Sequence, residues 1–328
     1  MGGKEQKVSL VDTAMGTILQ GSVYVEGDRS QGEEILRDTF ELVRSLEENL
    51  LSRRLETSEV WRIDESAHGT EGAEISKELA DLLERCAAMT VDSQGAFDVS
   101  IGRLVALWRV DELAAQGAEE GAALVTKAPD ESELQSAMDE CGMEYVAVEN
   151  GRIYLKNNVT LDLGSVGKGF ALDRIAESLR SGEIGITGGI FSLGGSILTY
   201  GQKPDGMAWK VGVTDPKDPG KVLGYLSFTG DYCISTSGDY ERYFEVEGVR
   251  YHHILDPKTG YPAENGIHGV TIFSKSGFLS DALSTACFVL GKEKGMALAE
   301  KYGAEALFVG EDDQIYMSEG MKAMFTAR

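Results

Sequence analysis

Apolar and polar positions alternate from Val8 to Met15 and again from Thr17 to Glu26, the period-two pattern of strands. Gly16 separates the two runs, and Gly27-Asp28 reads as the next turn. From Gln31 to Arg54 the period lengthens. Leu36, Phe40, Val43, Leu46 and Leu50 recur at spacings of three and four, which predicts a helix with one apolar stripe. Residues 74–89 repeat the pattern through Ile75, Leu79, Leu82, Leu83 and Cys86, so both stripes are expected to face a core. Short apolar runs at 153–156, 160–163, 190–193, 209–213, 222–227, 251–255 and 269–273 predict further strands. Two more helices are expected. One starts near Gly167 with Phe170, Ile175 and Leu179 on its apolar face and Gly182 as its cap; the other runs from Leu279 to near Gly291.

No repeat of solenoid or propeller period occurs, and no Pro/Ser-rich linker divides the chain. The expected fold is α+β: one domain over 1–328, built of two intimately packed lobes with mixed or antiparallel sheets and flanking helices. Composition agrees with a packed globular protein, at 42% hydrophobic and 26% charged residues. The 40 glycines against 6 prolines point to tight turns and to places where backbone approaches a ligand closely.

Charge narrows the function classes. With 54 acids against 31 Lys and Arg the net charge is −23, which argues against a nucleic-acid binder. Residues 111–150 hold 11 acids and one Lys, so nearly half of the excess is local. That segment is expected as a peripheral, solvated acidic excursion outside any site, the alternative being a docking surface for a basic partner. No C-x-x-C pair joins Cys86, Cys141, Cys233 and Cys287, so free, buried thiols are expected. No apolar run reaches the roughly 18 residues of a membrane span. Residues 1–4 lack the apolar core of a secretory signal.

Three constellations carry candidate chemistry. In Leu161-Asp162-Leu163-Gly164-Ser165-Val166-Gly167-Lys168-Gly169 a strand meets a Gly-rich turn and a helix start. Helix N–H groups near Gly167–Gly169 and the Lys168 ammonium would suit a phosphate; a plain tight turn is the alternative. Asp281, Ser284 and Thr285 lie three and four apart, a hard-oxygen face suited to Mg²⁺, unless Asp281 or Ser280 merely caps the helix. His252 and His253 adjoin on a predicted strand, so at most one faces a given site. Asp98 within Gly95-Ala96-Phe97-Asp98 reads as a helix cap or as part of a ligand-gripping turn, and Ala14-Met15-Gly16-Thr17 as a bulge or tight bend.

In this order the segments resemble the ApbE family, the FAD:protein FMN transferases once described as thiamine-biosynthesis lipoproteins. The matching pieces are Met15-Gly16-Thr17, Ser58-Glu59-Val60, Gly95-Ala96-Phe97-Asp98 with Trp108, and Asp162-Leu163-Gly164 with Gly167-Lys168-Gly169. They continue with Leu193-Gly194-Gly195, Thr236-Ser237-Gly238-Asp239-Tyr240, His253-Ile254-Leu255-Asp256-Pro257 with Thr259-Gly260, and Asp281-Ala282-Leu283-Ser284-Thr285-Ala286. The resemblance implies a fold that holds FAD in a cleft and moves its FMN half onto a Thr or Ser hydroxyl of an acceptor flavoprotein. It implies Mg²⁺ held by Asp281, Thr285 and the main-chain carbonyl of Ser165, with Met15, Ala96, Phe97, Asp98, Asp162, Lys168 and Leu255 lining the FAD site. His253 takes the place of the family's histidine beside the diphosphate.

On general chemistry the phosphoanhydride barrier is mostly charge and alignment, so Lys168 and a divalent cation would act on it. His253 or Asp281 would be the base. The neighbouring readings are a Mg²⁺-dependent FAD diphosphatase giving AMP and FMN, and a non-catalytic FAD-binding redox protein. The family often carries Ala at the Ser165 and Gly167 positions; neither difference removes a backbone carbonyl. The resemblance also implies an exported, membrane-associated full-length form. Its lipoprotein signal is not matched here, so a tether would require a removed segment, with a cytoplasmic form as the alternative.

Overall fold

A computed structural model of the chain describes residues 5–26, 28–117, 127–181 and 186–328. Strands β1 (Glu5–Ala14) and β2 (Thr17–Glu26) form a hairpin with Ala14 opposite Thr17. Helix α1 (Arg29–Leu46) comes next, capped by the Asp28 carboxylate on the Ser30 N–H. It runs into a π-helical stretch, Glu47–Leu51. The next elements are α2 (Glu59–Ser66), β3 (Ala73–Glu74), α3 (Lys77–Asp92), α4 (Gly102–Trp108), α5 (Val110–Gly117), α6 (Glu131–Asp139), β4 (Val146–Glu149) and β5 (Arg152–Leu155). Helix α7 (Gly167–Ser181) leads to β6 (Ile186–Leu193), β7 (Ser196–Gly201), β8 (Trp209–Asp215), β9 (Asp218–Phe228) and β10 (Tyr232–Gly238). The chain closes with β11 (Tyr243–Val246), β12 (Val249–His252), β13 (Ile267–Ser274), α8 (Gly277–Lys301), β14 (Glu305–Gly310), β15 (Ile315–Met317), α9 (Glu319–Met324) and β16 (Phe325–Ala327).

The principal sheet has the order β1-β2-β6-β7-β10-β13-β14-β15, and its paired strands are antiparallel. Alternation of side chains divides its two faces. Cys233, Val270, Ile272, Ala306 and Phe308 join the large core with α1, α3, α7 and α8, whereas Ile234, Phe273, Leu307 and Val309 pack against the β16-β9-β8 sheet through Trp209, Val211 and Leu226. A third apolar cluster joins α4, α5 and α6 to β11 through Leu104, Trp108, Leu134 and Phe244. The α+β, antiparallel architecture is therefore the one expected.

Several boundaries differ from the periodicity reading, for identifiable reasons. The first long helix leaves α geometry after Leu46 and ends at Leu51 rather than Arg54, where Ser52 turns extended and the Thr57 hydroxyl donates to the Glu48 carbonyl at 2.6 Å. Helix α3 starts after Ser76, whose hydroxyl accepts from Leu79 N–H at 3.1 Å, so Ile75 precedes it. Residues 160–163 form no strand; Thr160 makes a single bridge to Ile101, and Leu161 N–H goes to the Asp64 carboxylate. The strand expected at 251–255 ends at His252. Helix α8 begins at Gly277 and continues to Lys301 across a break at Gly291 (φ 75°). Gly182, expected as the α7 cap, lies outside the described residues. Cys86, Cys233 and Cys287 are buried free thiols, and Cys141 is free and half-buried.

One contact between helices sets the spacing of α7 and α8. A Cβ on Gly169 would stand 2.1 Å from the Gly277 carbonyl oxygen and 2.6 Å from Asp281 Cβ. Only glycine lets the two helices approach this closely. Asp173 secures the same junction by accepting from the Gly277 and Phe278 N–H groups at 2.5 and 3.0 Å and from the Ser276 hydroxyl at 3.0 Å, which caps α8 with negative charge. On the other side, small hydroxyls bring α8 onto the sheet: Ser280 meets Ser235, and Ser284 meets Ser237, each at 2.8 Å. Gly169→Ala should therefore destabilise the fold by about 1–3 kcal/mol through overpacking, as read by urea unfolding. An unchanged midpoint would show that the helix junction is not this tight.

Candidate active site

The α7–α8 junction brings Asp281, on the second turn of α8, to the start of α7. Asp281 is only 4% exposed. Its Oδ2 accepts from Gly169 N–H at 2.8 Å, and its Oδ1 accepts from the Ser196 hydroxyl at 3.2 Å, with Lys168 Nζ 3.8 Å away. A buried carboxylate is tolerable only when so satisfied, and a helix N-terminus suits it. It is not the cap of its own helix; Ser276 is, and Asp173 supports that end.

The Asp281 bond changes the phosphate-loop expectation. Gly167 N–H donates to the Leu163 carbonyl at 2.8 Å, Gly169 N–H goes to Asp281, and Phe170 N–H goes to Val166 at 2.8 Å. The donors expected to meet a phosphate at Gly167 and Gly169 are thus already used. Gly169 N–H is one of the first-turn donors that a helix leaves unpaired, and Asp281 accepts it; the Ser165 carbonyl lies just before the helix, and no hydrogen bond among the described residues reaches it. Thr285 Oγ1 makes one long contact, 3.5 Å to Ser237 Oγ. Ser284 turns instead toward the sheet and its own helix, bonding Ser237 and the Asp281 carbonyl at 2.8 Å each. A carboxylate, a free carbonyl and an underused hydroxyl form a hard-oxygen set suited to Mg²⁺. Among the described residues no group of three or more His, Cys, Asp or Glu could hold a metal, so a cation here would share one carboxylate with oxygens from elsewhere.

These groups line an open cleft of about 1050 Å³. Ala96, Phe97, Asp98, Asp162, Ser165, Lys168, His253, Leu255, Asp281 and Thr285, all singled out from sequence, converge on it. A neighbouring chamber of about 780 Å³ is lined by Met15 and Glu47 and shares Asp162 and Lys168 with the cleft. Asp98 is not a helix cap. Its carboxylate accepts from the Ser100 N–H and hydroxyl at 2.7 and 2.5 Å, and burial raises its pKa. Asp162 spans a turn to Gly164 N–H at 2.8 Å and pairs with Arg53 at 2.6 Å. Met15-Gly16 forms a two-residue turn with φ of 51° and 64°, the positive values a type I′ hairpin requires.

The adjacent histidines separate as the alternation predicts. His252 points inward, accepting from Ile254 N–H at 3.3 Å and reaching the Ala263 carbonyl at 3.2 Å, edge-on to Phe288. His253 lines the cleft. Its Nδ1 lies 3.3 Å from the Arg242 carbonyl, which can only accept, so the proton sits on Nδ1 and Nε2 is free to accept. Burial, and then the Arg242 charge, lower its pKa and keep the ring neutral.

Four lining residues, Asp111, Arg242, Arg54 and Glu241, escaped the motif reading. Asp111 accepts from Arg242 at 3.0 Å and from Arg54 at 3.3 Å where the two chambers meet. This overturns the expectation that the whole acidic segment lies away from any site: α5 carries one of its carboxylates into the cleft. Glu241 is exposed toward the cleft, and partial desolvation of its carboxyl by the surrounding protein raises its pKa. Glu241 follows the quoted Thr236–Tyr240 motif and Arg54 ends the predicted first helix; their cleft positions come from tertiary folding, which local spacing does not report.

Fold and cleft together describe an α+β protein built around one charged, cation-ready cleft. The chain belongs to the ApbE family, which it matches over residues 15–308. It is similar to a Treponema pallidum protein named FAD:protein FMN transferase, with 33% identity over 334 residues, covering 96% of this chain and 88% of that one. A Vibrio cholerae protein of the same name is 32% identical over 277 residues, covering 83% of this chain and 79% of its own. Among solved structures, the ApbE protein of Thermotoga maritima superposes with a TM-score of 0.85 at 34% identity, covering 98% of this chain and all of that one (100%). The apo flavinyl transferase ApbE of Pseudomonas stutzeri gives 0.81 at 27% identity, covering 100% and 99%. No described helix is long and apolar enough to cross a membrane.

The inward histidine yields a pH prediction. Burial lowers the His252 pKa below the ordinary value of about 6.5, so the unfolded chain takes up this proton first as pH falls. The stability gained from the neutral ring is complete above that value and declines below it. His252→Gln should lose about 1–3 kcal/mol at pH 7.5, with the gap to wild type narrowing at pH 5.5 in urea unfolding. A gap of equal size at both pH values would contradict the assignment.

Proposed function

We propose that this protein transfers the FMN half of FAD to a Thr or Ser hydroxyl of an acceptor flavoprotein, releasing AMP. The observation that carries the reading is the meeting of Lys168, Asp281, Thr285 and the donor-free Ser165 carbonyl in one cleft, in a chain of the ApbE family. Relatives bearing the name FAD:protein FMN transferase support the substrate and the class of reaction.

FAD would lie along the two chambers, against Ala96, Phe97, Asp98 and Leu255 in one and Met15 in the other, with Asp162 where they join. The Lys168 ammonium neutralises negative phosphoryl oxygens and need not travel, because Asp281 already holds it at 3.8 Å. The acceptor hydroxyl oxygen bonds to the FMN phosphorus as the bond to the AMP oxygen breaks, and AMP leaves with that electron pair. His253 Nε2 takes the hydroxyl proton. It suits the task better than Asp281, both of whose oxygens are engaged, and its neutral form is the accepting one. Mg²⁺ would be held by Asp281, Thr285 and the Ser165 carbonyl, and when bound would supply Lewis-acid neutralisation of the diphosphate. The full-length protein would work on exported acceptors from a membrane-associated position.

Incubation with FAD, Mg²⁺ and a candidate acceptor should add one FMN to the acceptor mass and release AMP. FMN and AMP formed without an acceptor would favour the diphosphatase instead. Asp281→Ala and His253→Ala should each lower transfer by about 100-fold or more. The Asp281 variant should also lose its response to Mg²⁺; full activity in EDTA would refute the metal assignment.

A further inference from the structure

The turn that carries Met15 is held from outside its own hairpin. Both of its residues have positive φ, and Gly16 adopts that region freely. Met15 does not: its side chain crowds its own backbone there, and hairpin turns of this type favour Asn, Asp or Gly at this position. Its N–H donates to Glu47 Oε2 at 2.6 Å, across 32 residues of sequence. Glu47 opens the π-helical stretch, whose wide turn is closed by Ser52 N–H on the Glu47 carbonyl at 3.2 Å. Such stretches are rare and gather at functional sites. Met15 and Glu47 line the same chamber, beside Arg53 and Arg54. A carboxylate on the wall of a chamber meant for an anionic ligand needs a reason to be there, and the Met15 N–H provides it.

We propose that Glu47 is a positioning residue: it locks the Met15-Gly16 turn in its left-handed form and thereby sets the wall that Met15 presents to the flavin nucleotide. The identity of that ligand rests on the FMN-transfer reading. Glu47 forms no bond to the reacting atoms in this scheme, so its removal should affect binding rather than the chemical step.

The test compares E47A, which has no acceptor for the Met15 N–H, with E47Q, whose side-chain oxygen can still accept it. Three quantities are measured: the Kd for FAD by fluorescence quenching, KM and kcat for transfer, and hydrogen exchange at the Met15 amide. For E47A the expected result is a rise of about tenfold in Kd and KM, kcat within about twofold, and faster Met15 exchange, since small misplacements of a binding wall act on this scale. E47Q should stay within about twofold of wild type in all three. Should E47A fail to fold, E47D, whose side chain is one methylene shorter, carries the same expectation at smaller size. An unchanged Kd in E47A, or an E47Q as impaired as E47A, would overturn the positioning role. If wild type binds no FAD, the functional reading fails instead, and Met15 exchange decides alone: unaltered exchange in E47A overturns the anchoring, and faster exchange upholds it.

Discussion

The hydrogen bond from Gly169 N–H to the Asp281 carboxylate is the interaction on which the site depends. A carboxylate this buried would be strongly unfavourable if left alone, so its partners are structural requirements. They explain the sequence around it. Gly169 and Gly277 are bare because the helices touch there. Asp173 directs its oxygens to the first turn of α8 rather than to solvent. Ser196 and Ser235 carry hydroxyls where a packed sheet would ordinarily carry Val or Ile, linking Ser280 through to Asp281. The same bond satisfies a first-turn N–H of α7, while the Ser165 carbonyl, just before that helix, stays available on the cleft wall. One interaction thus builds the floor and also caps the start of α7.

Charge works by placement. A chain of net −23 would repel an anionic nucleotide if its acids were spread evenly. Around the cleft and its neighbour, however, the charges nearly balance: Lys168, Arg53, Arg54, Arg109 and Arg242 stand beside Glu47, Asp98, Asp111, Asp162, Glu241 and Asp281. Asp111 ties Arg54 and Arg242 into one geometry, holding both where the chambers join. Its field also opposes the depression of the His253 pKa, although burial and the Arg242 charge prevail. The acidic segment therefore contributes one residue to the organisation of the cleft.

Much of the architecture was legible because it rests on local periodicity. The β1–β2 alternation, the start of α7 at Gly167 and the division of labour between His252 and His253 reflect side-chain direction along a strand or helix. Strand β10 was not legible: Ser235, Thr236, Ser237 and Gly238 are polar and small, and only the pairing of β10 with β7 and β13, with α8 packed over it, makes them a buried strand. The ten cleft residues lie in the quoted motifs: spacing and residue chemistry point to Lys168, His253, Asp281 and Thr285, and the resemblance to the ApbE family supplies the roles expected of the others. Asp111, Arg54, Arg242 and Glu47 were not legible, because each enters through contacts distant in sequence, such as the 32 residues between Met15 and Glu47.

The placement of the chemistry has a common physical cause. Inside a helix or a paired strand the backbone groups are consumed, so free carbonyls, free amides and turns with unusual φ occur where elements end. The cleft is assembled at such ends: the N-terminus of α7 with Ser165, the first turns of α8 with Asp281 and Thr285, the chain beyond β12 with His253, and the Met15-Gly16 turn between β1 and β2. Their relative positions are nevertheless fixed, because the elements behind them are locked by apolar cores that include Phe170, Leu283, Val270 and Leu19. Rigidity comes from the packed middles and reactivity from the exposed ends. At Met15, whose side chain packs only partly against the core, a long-range carboxylate adds a restraint on the backbone of the turn.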